Sequence, residues 1–107
     1  MSGTISPLQL SSSLHETVVI DVRKEPARRA SMLTIPDARH RRPFAAENWW
    51  PEFAGQSVVV FCVHGHEVSR AVAGFLTDNG VDATILEGGF EAWREAGQPV
   101  VPIGDAS

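Results

Sequence analysis

Two runs of residues, Thr17-Val18-Val19-Ile20-Asp21-Val22 and Ser57-Val58-Val59-Val60-Phe61-Cys62, are β-branched and almost continuously apolar. A strand with one wet face alternates apolar and polar side chains, whereas these runs leave hardly any polar position, so both of their faces must be covered. That requirement points to a parallel sheet between layers of helix. After the second run, Val68, Ala71, Val72, Phe75 and Leu76 recur at helical spacing, and Asn79-Gly80 supplies the left-handed residue that commonly stops a helix. Residues 81–86 read as a third strand, and Gly88-Gly89 turns the chain. A helix over 90–96 then carries Phe90 and Trp93 on one face until Gly97. At the other end, Ser6-Pro7-Leu8-Gln9 reads as a capped helix start, with a short helix to about Leu14. The expected class is α/β, with a central, mainly parallel β-sheet flanked by helices on both faces. A length of 107 residues with 43% hydrophobic content suits one domain over 1–107, its core spanning about 5–101. Segment 23–56 is expected to be irregular. Pro26, Pro36, Pro43 and Pro51 interrupt any long helix there, leaving a brief strand near 32–35 and helical turns around 45–53. Trp49, Trp50 and Phe53 are expected to pack in the core or as a lid.

Charge and cysteine usage narrow the function classes. A single cysteine, Cys62, cannot close an internal disulfide, so a cytoplasmic location is expected. No apolar run approaches the roughly 20 residues of a membrane helix, and Met1-Ser2-Gly3-Thr4-Ile5-Ser6-Pro7 lacks the basic-then-apolar order of a signal peptide. No membrane partner is expected. A formal charge of -4 argues against nucleic acid as a partner. The charge is uneven, however: Arg23, Lys24, Arg28, Arg29, Arg39, Arg41 and Arg42 face only Glu25 and Asp37 over residues 23–42. A solvated basic face is expected there, with an acidic protein partner or an anionic donor as its alternative use.

Between the strand ending at Cys62 and a helix opening near Val68 or Ser69 runs a short loop with Gly65 at its middle. Backbone N–H groups of so tight a loop converge on one point, and the helix N-terminus adds unpaired donors and the positive end of its dipole. A sulfur held there is favoured as thiolate, lowering its pKa from the free value of about 8.5. Gly65 is expected to supply a positive φ or a close backbone approach. Free cysteine is often only core filler, but core filler belongs inside an element and Cys62 stands at a junction. The nucleophile reading therefore leads.

The same residues carry a resemblance that runs nearly the length of the chain. Ile20-Asp21-Val22-Arg23-Lys24-Glu25 resembles the first strand and Asp-x-Arg signature of the rhodanese family, and Ile35-Pro36-Asp37-Ala38 resembles its Ile-Pro-Gly-Ala turn, with Asp37 in place of glycine. Val58-Val59-Val60-Phe61-Cys62-Val63-His64-Gly65 resembles its strand and active loop, and Leu86-Glu87-Gly88-Gly89-Phe90-Glu91-Ala92-Trp93 its Gly-Gly-x-x-x-Trp motif. The resemblance implies a single-domain thiosulfate sulfurtransferase. In such an enzyme Cys62 takes the outer sulfur of thiosulfate or a persulfide donor, becomes a persulfide, and passes that sulfur to a thiol, another protein or cyanide. Backbone donors of the active loop, Val63, His64, Gly65, His66, Glu67, Val68 and Ser69, would hold the anionic sulfur without metal or organic cofactor. The wording from His64 to Ser69 also resembles a subgroup of small bacterial members sometimes associated with chromate-resistance proteins, which implies nothing about substrate.

Glu67 departs from the Arg or Thr of many members. An acidic residue there weakens attraction for thiosulfate unless it points away or pairs with a cation such as Arg70; it also suits the positive end of the following helix. His64 and His66 are assigned to the loop lining. A phosphatase or arsenate reductase would need an arginine six positions after the cysteine, where this chain has Val68, with Arg70 two residues too late. Cys62, His64 and His66 could alternatively bind a soft metal, joined by His15 or His40, although no paired ligand spacing supports it. A non-catalytic interaction module is the remaining alternative.

Overall fold

Val58, Val59, Val60 and Phe61 are all buried, and they point into two different cores. The computed structural model describes residues 3–103; residues 1, 2 and 104–107 of the expected domain lie outside them. Strand β1 (Thr4–Ile5) leads into helix α1 (Pro7–Ser12) and a 3-10 turn at Leu14–Glu16. Strand β2 (Val18–Asp21), helix α2 (Glu25–Ser31) and strands β3 (Leu33–Thr34) and β4 (Arg39–His40) follow. Helix α3 (Ala46–Trp49) lies between 3-10 turns at Pro43–Ala45 and Trp50–Phe53. Strand β5 (Ser57–Phe61), helix α4 (Glu67–Asp78), strand β6 (Asp82–Leu86), helix α5 (Gly89–Glu95) and strand β7 (Val101–Pro102) complete the fold.

The main sheet has the order β1-β6-β5-β2-β4, and all four of its pairings are parallel. Side chains alternate between faces along a strand, so Ile20, Val58 and Val60 pack with Trp49, Phe53, Val72 and Leu76, while Val19, Val59 and Phe61 pack with Leu10, Leu86, Phe90 and Trp93. The α/β class with helices on both faces is thus observed, and the near-absence of polar positions in the two runs has its cause in this double coverage. Strands β3 and β7 pair separately and antiparallel.

The expected cap of α1 is present: the Gln9 N–H donates to Ser6 Oγ at 3.2 Å and the Ser6 N–H to Gln9 Oε1 at 3.0 Å. Segment 23–56 is more ordered than its prolines imply. Pro26 sits in the first turn of α2, where its missing N–H costs nothing, so it opens a helix rather than breaking one. Strand β4 was not expected; it is two residues long, held by its parallel register with β2. Trp49 and Phe53 are core residues, packed edge to face at 5.9 Å, and Trp50 packs against the same cluster.

The solvated basic face requires correction. Arg23 is 2% and Arg28 8% exposed, both gathered around the fully buried Asp21. Arg23 Nε and Nη2 donate to the two Asp21 oxygens at 3.0 and 2.8 Å, and the Arg23 backbone N–H and Thr34 Oγ1 add bonds at 3.0 and 3.1 Å. The remaining Arg23 donors reach Ser31 Oγ and the Leu33 carbonyl, and its guanidinium lies 4.2 Å from the Phe90 ring centroid. Buried charges are tolerated when fully bonded in this way. Arg28 Nε, without a hydrogen bond, lies 3.5 Å from Asp21 Oδ2 as an ion pair. Sequence shows that a cation follows the strand, not that it folds inward.

Candidate active site

Parallel pairing puts the carboxyl ends of β2 and β5 side by side, with Asp21 opposite Phe61 and the Val22 N–H donating to the Phe61 carbonyl at 2.9 Å. Cys62 leaves β5 at this edge and Lys24 leaves β2 beside it. Ligands of open α/β sheets bind at such carboxyl ends. Cys62 is 6% exposed. Its Sγ accepts from the Gly65 N–H at 3.3 Å and lies 3.2 Å from Ser69 Oγ. The thiol donates to that hydroxyl, and in the thiolate the hydroxyl donates to sulfur. Burial is the largest influence on the thiol and pushes its pKa up. The Ser69 hydroxyl and the backbone N–H groups of Ser69, Gly65 and His66 pull it down and together prevail, holding it below the ordinary cysteine range.

Helix α4 starts at Glu67, a residue or two before its expected opening, with His66 as its N-cap. Ser69 is therefore in its first turn and fully buried, facing the sulfur. The sequence reading counted Ser69 among backbone donors and missed its hydroxyl; a buried serine on an otherwise apolar helical face, seven residues after Cys62, was the available signal. Val63 and Val68 are half-buried, while His64, His66 and Glu67 are exposed on the rim. Of the two ways in which Glu67 could be neutralised, pairing with Arg70 is not observed among the described residues.

Gly65 has φ +76°, and a Cβ there would lie 2.9 Å from the Leu86 carbonyl and 3.0 Å from the Gly88 and Gly89 nitrogens. Gly89, with φ +65°, fits even closer: its Cβ would stand 2.5 to 2.6 Å from the carbonyls of Val63 and Cys62 and from Gly65 N. The start of α5 then grips the loop, as the Phe90 N–H donates to the Cys62 carbonyl at 2.8 Å and the Glu91 N–H to the Val63 carbonyl at 3.0 Å. Gly88-Gly89 was read only as a turn; its second task is this close approach.

A groove of about 480 Å3 opens over Cys62. Arg23, Lys24 and Ala27 line it from the corner between β2 and α2; Val63, His64, His66, Glu67 and Val68 line it from the loop and α4. The sequence reading offered residues 23–42 to an anionic donor as an alternative, without placing the β2 corner beside Cys62. A larger cavity of about 650 Å3, bordered by Arg28, Arg39 and His40 among others, contains no cysteine or serine and is not where this chemistry would occur. Among the described residues no three His, Cys, Asp or Glu side chains gather as metal ligands, and no helix is long and apolar enough to cross a membrane.

The arrangement can present a thiolate in a backbone cradle at the floor of an open groove. The profile described as Rhodanese-like domain matches residues 6–96. A thiosulfate sulfurtransferase GlpE from Actinobacillus succinogenes is 46% identical over 44 residues, which cover 40% of this chain and only 39% of that relative. A rhodanese-related protein from Thermoplasma volcanium superposes with a TM-score of 0.82 at 26% identity, covering 92% of this chain and 97% of that one. A rhodanese-like domain protein from Staphylococcus aureus gives 0.76 at 27% identity, covering 85% and 90%.

Proposed function

Because the chain belongs to the Rhodanese-like domain family, we propose that it is a sulfurtransferase that carries sulfane sulfur as a persulfide on Cys62. The observation that carries this reading is the Sγ itself, bonded to the Gly65 N–H and the Ser69 hydroxyl at the base of an open groove. With thiosulfate, the thiolate attacks the outer sulfur, the sulfur–sulfur bond of the donor breaks, and sulfite leaves with its electron pair. The product is Cys62–S–S⁻. An acceptor thiolate or cyanide then attacks the terminal sulfur and regenerates the thiolate.

Loop donors that hold the thiolate can follow the charge to the terminal sulfur, which is the electrostatic part of the catalysis. Val68 occupies the place where an oxyanion-cleaving thiol enzyme needs its arginine, so a phosphoryl group would find no bidentate clamp. The test is thiocyanate production from sulfane donors and cyanide. The wild-type chain is expected to turn over, and Cys62→Ser to show only the uncatalysed rate. Equal rates for the two would refute the reading.

A further inference from the structure

Two charges on the groove, Lys24 and Glu67, are used by neither the fold nor the cradle. Both are exposed, both line the space over Cys62, and neither forms an ion pair, with the other or with any group, among the described residues. Lys24 Nζ only leans on the exposed Phe44 ring, 5.5 Å from its centroid. The groove's other charged lining residue, Arg23, has its guanidinium engaged with Asp21, Ser31 and Leu33. Glu67 stands in the first turn of the twelve-residue α4, with its oxygens open to a ligand. Between these charges Ala27, Val63 and Val68 give apolar wall.

Thiosulfate matches this lining poorly. Its compact dianion suits Lys24 but meets Glu67 unfavourably, and it leaves most of a 480 Å3 groove unfilled, a size within the roughly 300–1,000 Å3 of organic-ligand pockets. An amino-acid persulfide offers the matching groups: a carboxylate for Lys24, an ammonium for Glu67 and an alkyl stem for the apolar wall. We propose that the sulfur donor is a zwitterionic alkyl persulfide, of which cysteine persulfide is the simplest, with Lys24 and Glu67 as the residues that select it. This rests on the sulfurtransferase reading above. In the step itself the Cys62 thiolate attacks the outer sulfur of R–S–SH. The donor's sulfur–sulfur bond breaks, R–S⁻ leaves with the electron pair and takes a proton from water, and Cys62–S–SH forms without an external oxidant.

The test compares loading of Cys62 by cysteine persulfide and by 3-mercaptopropionate persulfide, which differ only in the ammonium group, using rapid quench and intact mass. Divided by the ratio of their rates toward a free small thiolate, which accounts for the better leaving group that the ammonium makes of cysteine thiolate, loading is expected to favour cysteine persulfide about three- to fivefold, the worth of one exposed ion pair. Glu67→Gln should bring that corrected ratio to near one while raising loading by thiosulfate, and Lys24→Gln should slow both persulfides. A corrected wild-type ratio near one, or one unchanged in Glu67→Gln, overturns the assignment of donor while leaving sulfur transfer intact. Failure of every donor, thiosulfate included, to load Cys62 overturns the sulfurtransferase reading itself.

Discussion

The proposed chemistry turns on one sulfur whose burial and hydrogen bonds oppose each other. Burial alone would keep Cys62 a thiol, and the Ser69 hydroxyl is the foremost of the groups that reverse this. Ser69→Ala removes that donor and leaves the backbone ones, so the midpoint of the pH profile for alkylation of Cys62 should move up; an unmoved midpoint would assign the thiolate to the backbone alone. The sign follows from the thiolate being the reactive form, so reactivity rises with pH through the folded pKa and a lost donor delays that rise. Asp37 shows how a residue-scale departure from the rhodanese pattern is absorbed. It stands where the family has glycine and takes φ +63°, closing a turn in which the Ala38 N–H donates to the Ile35 carbonyl at 3.1 Å. Aspartate is among the few residues that tolerate this region.

At the scale of elements, the active loop is shaped as much by α5 as by the strand and helix that bracket it. Gly89 lets the α5 start approach the Cys62 and Val63 carbonyls, so Gly89→Ala must push the two segments apart and also hold a left-handed residue. A loss of about 2–4 kcal/mol is expected in denaturant unfolding, together with slower alkylation of Cys62. Unchanged values of both would show the contact to be incidental. The loop and its cysteine were legible in sequence because strand, glycine and helix follow one another locally, and so were the doubly buried strands. The partnership of Gly65 with Gly89 was not, since it joins residues twenty-four positions apart. Nor was the inward fold of Arg23 and Arg28, because a run of cations looks the same whether it meets water or Asp21. Lys24 escaped for a related reason: only the parallel β2–β5 register brings it to the cysteine.

Over the whole molecule, the sheet divides two apolar clusters, one containing Trp49 and the other Trp93, and β2 and β5 contribute alternate side chains to both. Neither cluster can open without exposing one face of those strands. Unfolding followed by tryptophan fluorescence and by far-ultraviolet circular dichroism should therefore give coincident transitions, and separated midpoints would mean that the two layers are independent units. An acidic protein partner, the alternative use of residues 23–42, would meet Lys24, Arg29, Arg39 and Arg42, the exposed cations of that segment. Each of these surfaces matters only if sulfur resides on Cys62 during turnover. Intact mass of the full chain after incubation with sulfane donors measures this directly. Sulfur transfer requires a gain of one sulfur atom, removed by cyanide and absent in Cys62→Ser; an unchanged mass with every donor, or the same gain in Cys62→Ser, would contradict it.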